Sequence, residues 1–599
     1  MLNHAPQKKI QSPVVYYLLM FMIISGVVLI SYYISTIIYV IFNPAIPYPE
    51  NYDYYYLYEG ARNFIKDGVP TILYWPNSSS GLDIFAWDKV SQIISYAGFL
   101  NIYGMQIENI FIFDALLKIL SIIFLVSSVY LLTRNWMYVG IVVSLLFIDP
   151  VSRFFLINKQ YYGLAWGALC FNFVIFVKYA HFPKVNLVAA LLSGLTVPIL
   201  FFWFLPMGVY YLVSIVLYLS ISVFITKKYK AYYKFTMFYI LAALFSTTVF
   251  LIVYAQFANL PVFINSFSDA INIHVLYNET VPFVRARILF ILNTIFPSQG
   301  FSLVPVILII ILRIYFDAIR FRNKFLLNDN ILRAAVACVL GYLSMGILAP
   351  DNFYLARMSW ALPIVFYVFF RIIMLDEAVY YQKLTFQYVL AYSVGFLTYV
   401  IIDKLYTTPL AWVIGLSSIL LVYFVLYRTV NHNQENVFGK KWLVIFIPFA
   451  LSLWPAIENV ISYSNRYYRG NIEPVAEIIK NNSDNGYVVS NFVLSAYSPE
   501  TNVHLVQSYK GLINGAMPQP GYSFLYFVKN RDLQNTTCKG AEFQYGLHVY
   551  VGKRLVKVND DYSVCEGYFA KKKDFDGSIT VLDTLSDDKI KKYFLSRFK

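Results

Sequence analysis

Charge is scarce in this chain. Only 13% of its 599 residues are Asp, Glu, Lys or Arg, where a soluble domain carries about 25%. So few charges cannot dress a water-facing surface. A string of soluble domains, which length alone would invite, is excluded. Cysteine is scarcer still, at four residues. Cys170 and Cys338 fall inside apolar runs and read as inert core residues. Cys538 and Cys565 lie in a polar tail and form a candidate disulfide if that tail is outside the cytoplasm. No CxxC or Cys/His cluster occurs, which argues against a structural metal. There is no repeat of 20–50 residues and no low-complexity tract. The net charge of +14 would suggest nucleic acid in a soluble protein, but no nucleic-acid motif accompanies it.

What is abundant is apolar side chain, 59% of the residues, arranged in long runs. The run from about Val14 to Phe42 is too long for a signal-peptide core and lacks a clear cleavage site. It reads as a retained first helix, and Lys8 and Lys9 before it place the N-terminus in the cytoplasm. Further spans are expected at roughly 109–132, 135–149, 160–180, 185–204, 206–226, 235–256, 302–319, 329–348, 357–375, 384–402, 409–427 and 442–462. Each is near the ~20 residues a bilayer needs. Arg134, Lys184, residues 227–234 and 320–324, Lys383, Lys440 and Lys441 all then fall on the cytoplasmic side.

The expected fold is therefore a polytopic α-helical membrane protein with about thirteen transmembrane helices, N-terminus in and C-terminus out. Residues 1–463 form the transmembrane domain, with a long first outside loop at 43–108. Residues 464–599 form a small extracytoplasmic α/β domain. In it, 471–482 reads as a helix. "GYVVSNF", "HLVQSYK", "LHVYVGKRLVKV" and "SITVLDTL" read as strands, the third as a hairpin through Gly552. The expected location is the plasma (inner) membrane, multi-pass.

Five stretches carry chemistry. In "YPENYDYYYLYEGARNFIKDGVP", Asp53 opens a segment of helical spacing, 53–66, with Arg62 behind it. Asp53 either caps that helix or serves as a base beside the membrane. In "LLFIDPVSRFFLINKQYYG", Asp149 ends a span, Pro150 breaks it, and Arg153 and Lys159 follow. These read as helix termination with snorkelling cations, or as a site for an anionic head group. His274, Arg285 and Arg287 lie in a third outside loop, where cations are disfavoured and phosphate is a natural reason for them. In "APDNFYLARMSWALP", Asp351 and Arg357 flank a span's outer end as a boundary anchor or a further site group. In "NIFIFDALLKILS", Asp114 and Lys118 stand four apart inside a span, either a self-neutralising pair or a site.

The arrangement resembles the GT-C superfamily of glycosyltransferases that use polyprenyl-phosphate sugars. "YDYYYLYEGARNFIKDGVP" is similar to that family's first-loop segment. "DPVSRFFLIN" resembles the second outside loop of the protein mannosyltransferase and lipid A aminoarabinose transferase branches, and "FYLARMSWALP" the stretch before a later span. The layout also resembles the O-antigen glucosyltransferases. Asn158 stands where the second-loop pattern has an acid, and the oligosaccharyltransferase "WWDYG" is absent from the tail. The resemblance implies Asp53 as catalytic base. The cations of the outside loops, Arg62, Arg153, Lys159, His274, Arg285, Arg287 and Arg357, are the candidate donor-phosphate or substrate-binding residues, and Asp149 is a candidate second acid that lies earlier than the family's position. The partners the resemblance implies are membrane lipid, a lipid-phosphate sugar donor and a glycan or lipid-linked acceptor, such as an envelope polysaccharide or lipopolysaccharide, with no nucleic acid. No resident cofactor is expected, and the pattern leaves room for a divalent metal. The competing readings are an O-antigen polymerase or ligase, and a lipid-linked glycan transporter or flippase. A transporter calls for inverted halves with several mid-membrane charges, which the chain does not display.

Overall fold

The structure is a computed structural model. It describes residues 13–43, 53–68, 70–73, 83–85, 89–106, 108–157, 163–182, 186–227, 229–257, 287–288, 290–291, 294, 302–348, 355–374, 381, 384–394 and 443–469 and, in the tail, 487–488, 524–529, 537–538, 548–557 and 562–571. The chain divides into two units. Unit 1 is Met1–Tyr39, Asp114–Val253 and Val275–Ser464; unit 2 is Val40–Phe113, Tyr254–His274 and Asn465–Lys599. The first loop, assigned to the transmembrane domain from sequence, thus groups with the tail.

Unit 1 is built from helices. They are α1 (Pro13–Phe42), α4 (Glu108–Thr133), α5 (Trp136–Ile148), α6 (Pro150–Ile157), α7 (Gly163–Tyr179), α8 (Leu187–Phe201), α9 (Leu205–Thr226) and α10 (Tyr229–Phe257). After them come α11 (Val304–Arg320), α12 (Lys324–Leu327), α13 (Asn330–Leu348), a 3-10 segment (Leu355–Ala361), α14 (Leu362–Met374), a helical stretch at 384–394, and α15 (Leu443–Arg469). The span expected at 409–427 lies outside the described residues. Among the described residues, five helices are long and apolar enough to cross a membrane: α1, α4, α9, α10 and α13. Helices α5, α7 and α8 are apolar but shorter.

Large apolar side chains point away from the protein on these helices, among them Ile24 and Val28 on α1, Phe224 on α9, and Leu244 and Phe245 on α10. Water would penalise such faces and lipid does not. The inner faces bring backbones close. A Cβ on Gly167 of α7 would run into the backbone oxygen of Ser121 on α4, and one on Gly194 of α8 into that of Tyr239 on α10. Small residues where backbones meet are how helices pack in lipid, where no hydrophobic force drives them together.

The expected alternation of spans can be tested by which helix ends meet. Asp149, Ser302 and Leu303 touch one another, as do Arg357 and Phe204, and all five stand at ends assigned to one side. Ser222, Leu327, Asp329, Arg333 and Arg371 stand at ends assigned to the other. There Arg333 donates to Ser222 Oγ at 3.1 Å and to the Leu327 carbonyl, and Arg371 pairs with Asp329 at 2.7 Å. No contact among these mixes the two sets. Some boundaries differ: α10 begins at Tyr229 and not 235, α15 runs on to Arg469, and the span expected to begin at 357 begins as 3-10 helix through Ala361. Pro363 lies just beyond, at the second position of α14, where its missing N–H breaks no intrahelical bond.

In unit 2, α2 (Asp53–Asp67) lies against α3 (Val90–Tyr103) and a short hairpin of β1 (Thr71–Leu73) and β2 (Asp83–Phe85). Gly68, at φ +70°, ends α2 by donating its N–H to the Phe64 carbonyl at 2.9 Å. Tail strands β3 (Tyr487–Val488), β4 (Phe524–Lys529), β5 (Thr537–Cys538), β6 (His548–Lys557) and β7 (Tyr562–Lys571) form one sheet in the order β3-β4-β7-β6-β5. The expected hairpin at Gly552 is instead mid-strand. Gly552 pairs with Gly567 inside a continuous β6, and the irregularity falls at Arg554–Val556. The expected tail helix at 471–482 and the strands "HLVQSYK" and "SITVLDTL" lie outside the described residues.

The register also sets aside the Cys538–Cys565 disulfide. β6 runs between the strands that carry them. Their backbones are thus two strand spacings apart, roughly 10 Å, and a disulfide bridges Cα atoms at most about 7 Å apart.

The two glycine environments give a stability test. Gly167→Ala forces α7 away from α4 and costs about 1–3 kcal/mol, seen as a lower unfolding temperature in detergent. Gly98, in the interior of α3, has nothing within 4 Å of its missing Cβ. Gly98→Ala is expected to stabilise by roughly 0.5–1 kcal/mol.

Candidate functional site

The most constrained group in unit 1 is Asp149. Pro150 cannot continue α5 with a backbone N–H, so α5 stops at Ile148 and α6 begins at Pro150, with Asp149 between them. Its backbone is extended, at φ −65° and ψ 124°. Oδ2 accepts the N–H groups of Val151 at 3.0 Å and Ser152 at 3.2 Å, capping α6. Oδ1 accepts Ser302 Oγ–H at 2.9 Å and the Leu303 N–H at 3.2 Å, where α11 begins. One buried carboxylate therefore joins the end of α5 to the starts of α6 and α11, where helix dipoles favour an anion. Tyr392, in the 384–394 stretch, lies close enough to Asp149 and to the Ser302 backbone to interact with both.

Arg153 lies one turn into α6. It does not snorkel: only 3% of it is exposed. Its Nη1 donates to the Ile148 carbonyl at 3.0 Å, so the side chain caps the last turn of α5. Burial pulls its guanidinium down to about 10 and the Asp149 carboxylate pulls it back up, leaving a cation at neutral pH. A guanidinium has five N–H donors, and the Ile148 bond uses one.

The 3-10 segment packs against both α6 and α7. It carries Arg357, also buried, whose guanidinium carbon sits 4.6 Å from the Phe204 ring centre just before α9. Trp360, three residues on, is fully buried among Phe173 of α7 and Tyr210 and Tyr211 of α9, with ring centres 5.1–5.5 Å away. That packing fixes the 3-10 segment. Two cations from separate loops, Arg153 and Arg357, are thereby mounted on elements that touch.

Asp114 and Lys118 form a buried pair at 2.9 Å within α4, each side chain 3% exposed. Lys118 also donates to the Tyr463 hydroxyl of α15 at 3.2 Å. In unit 2, Asp53 is the first residue of α2. Leu57, Tyr58 and Ala61 are buried on that helix, and Ile65 is exposed. Tyr58 donates to the Met105 carbonyl at 2.8 Å. Its hydroxyl is pushed up by burial, against the pull of Arg62. Arg287 falls in a short helical stretch, half-buried. Lys159, His274 and Arg285 lie outside the described residues.

Sequence reasoning missed Ser302, Phe204 and Trp360. Ser302 carries a readable sign: it precedes "LVP", and Ser followed by an N-terminal Pro marks a helix start. Phe204 and Trp360 look like any apolar residue in an apolar run. Among the described residues no three His, Cys, Asp or Glu side chains gather as metal ligands.

No protein-family model matches the chain. No curated protein matches it. Among solved structures, it is similar to a crystal structure of ArnT from Cupriavidus metallidurans in the apo state, with 10% identity and a TM-score of 0.40. The alignment covers 90% of this chain and 97% of that one.

Four donors share the two oxygens of Asp149, which makes it a structural joint. Asp149→Leu leaves the N–H groups of two helix starts unpaired beside Arg153, at a cost of roughly 3–5 kcal/mol. The measurement is loss of unfolding temperature. Asp149→Asn keeps half of the acceptors and is expected to fall between.

Proposed function

We propose that the protein is an inverting glycosyltransferase that moves a sugar from a polyprenyl-phosphate donor to an acceptor hydroxyl on the outer face of the plasma membrane. The acceptor is an envelope glycan or lipopolysaccharide. The observation that carries this reading is the mounting of Arg153 and Arg357 on touching elements, α6 and the 3-10 segment, at helix ends assigned to the outer side. Arginines held in a low dielectric, with planar forks of donors, suit a phosphate. The chain's resemblance to GT-C transferases in "YDYYYLYEGARNFIKDGVP", "DPVSRFFLIN" and "FYLARMSWALP" adds to it.

The chemistry asks for little. The acceptor oxygen attacks the anomeric carbon from the face opposite the phosphate, and Asp53 takes the hydroxyl proton. The C–O bond to phosphate breaks, and its electron pair leaves on the lipid phosphate. That group is already stable as an anion and needs no acid, only cations to hold the charge that develops. A single displacement inverts the anomeric centre. Asp53 is the first residue of α2. Arg153 and Arg357 receive the leaving phosphate. Arg62, Arg287, Lys159, His274 and Arg285 are the remaining candidates for binding donor or acceptor.

Asp53→Asn keeps the shape of the group and removes the base. Turnover with a labelled lipid-phosphate sugar is expected to fall by about 10²–10⁴-fold, with donor KM little changed. Near wild-type turnover contradicts the assignment.

A further inference from the structure

On the side of unit 1 assigned to the cytoplasm, two cations from different helices meet. Arg134 follows the last residue of α4, and Lys178 lies in the last turn of α7. The two helices touch along their length, at Ser121 with Gly167 and at Phe124 with Phe171. At their ends Lys178 Nζ donates to the Leu131 carbonyl of α4 at 3.3 Å. There it lies close enough to Arg134 for the two charges to repel. Aromatic rings stand at the same place. The Arg134 guanidinium carbon is 6.0 Å from the Tyr130 ring centre, and Trp136 stacks on Tyr130 at 4.7 Å. Trp136, the first residue of α5, is 66% exposed.

Two observations separate this pair from ordinary loop charge. The first is the backbone. Arg134 has φ +53°, in the left-handed region that glycine adopts freely and other residues enter at a cost. A helix end of this geometry ordinarily takes glycine. The second is the want of a counter-charge. Asp149, at the far end of α5, is the one carboxylate between Asp114 and Asp269. Among the described residues no acid pairs with Arg134 or Lys178.

Helix-end electrostatics accounts for part of this charge. The C-termini of α4 and α7 each carry about half a negative charge, and the N-terminus of α5 about half a positive one. Two full cations therefore leave roughly one positive charge or more uncompensated. Donors are in excess as well. Lys178 spends one of its three N–H groups on Leu131, and the guanidinium of Arg134 adds five.

We propose that Arg134 and Lys178 form a binding site for the phosphate of an anionic phospholipid in the cytoplasmic leaflet. The guanidinium meets the phosphate oxygens as a fork, and the ammonium, steadied by Leu131, adds a point charge. Exposed Trp136 and its partner Tyr130 suit the depth where head groups meet acyl chains. A basic pocket between transmembrane helices on this side is the kind that holds acidic head groups. The site lies on the side assigned opposite Arg153 and Arg357, and it does not depend on the transfer reaction proposed above.

The test titrates phosphatidylglycerol or phosphatidylcholine into the full chain in detergent and counts bound lipid by native mass spectrometry. Arg134→Gly removes one charge and suits the left-handed backbone, so the fold is kept. Arg134→Gly/Lys178→Met removes both charges. Arg322→Gly/Lys324→Met is the matched control: Arg322 also has a left-handed backbone, at φ +49°, past the end of α11 on the same assigned side. The wild-type protein is expected to bind phosphatidylglycerol at least about tenfold more tightly than phosphatidylcholine. Affinity for phosphatidylglycerol should fall about thirtyfold in Arg134→Gly/Lys178→Met and about fivefold in Arg134→Gly. The control pair should change it less than about twofold. Equal wild-type affinity for the two lipids overturns the site, as does wild-type affinity in Arg134→Gly/Lys178→Met. An equal loss in the control pair also overturns it, since binding then follows overall charge. Displacement of the lipid by excess inorganic phosphate overturns a lipid as the ligand. If Arg134→Gly/Lys178→Met does not fold, Arg134→Gly decides the matter alone.

Discussion

The arrangement of unit 1 depends on one carboxylate used four times. Asp149 accepts two N–H groups that α6 cannot satisfy by itself, and a hydroxyl and an N–H where α11 starts. A helix end buried without partners is costly, and here two starts share one anion. Arg153 completes the joint by returning a donor to the Ile148 carbonyl. Because α6 is set by this joint and the 3-10 segment packs on α6, the placement of Arg357 follows from the same constraint. The carboxylate thereby sets the element that carries Arg153 and the neighbour of the segment that carries Arg357.

The buried charges of the molecule divide by how they are satisfied. Asp149 is held by neutral donors and helix starts. Asp114 is held by a lysine that itself leans on a tyrosine. Arg333, on the opposite set of helix ends, donates to Ser222, Asn330 and the Leu327 carbonyl. In lipid an unsatisfied charge costs kilocalories, so these groups fix their neighbours firmly. Each stands where three elements meet.

Much of the helical pattern was legible because lipid imposes it. A span must be near 20 apolar residues, and few other segments are. The described contacts between helix ends do not mix the two sides assigned from Lys and Arg in the loops. The start of α2 at Asp53 was readable from spacing after Pro49. Where prediction faltered, the cause was tertiary. Gly552 reads as a turn in a lone strand, but pairing with Gly567 keeps β6 straight through it. Cys538 and Cys565 look like partners until a strand is seen to run between theirs. Asp149 reads as a loose acid at a span's end because its partners at Ser302 and Leu303 are more than a hundred residues away. Nothing local announces that Phe204 will lie under Arg357 or that Trp360 will anchor the segment bearing it.

The central claim is that the ends of α6 and the 3-10 segment receive a lipid phosphate. The most direct measurement is a cryo-electron microscopy structure of the protein in nanodiscs with a non-transferable lipid-phosphate sugar analogue. The account predicts phosphate density within about 3 Å of the guanidinium nitrogens of Arg153 or Arg357, with Asp149 still bonded to Ser302. Phosphate lodged elsewhere, with both arginines engaged only by protein, would contradict it.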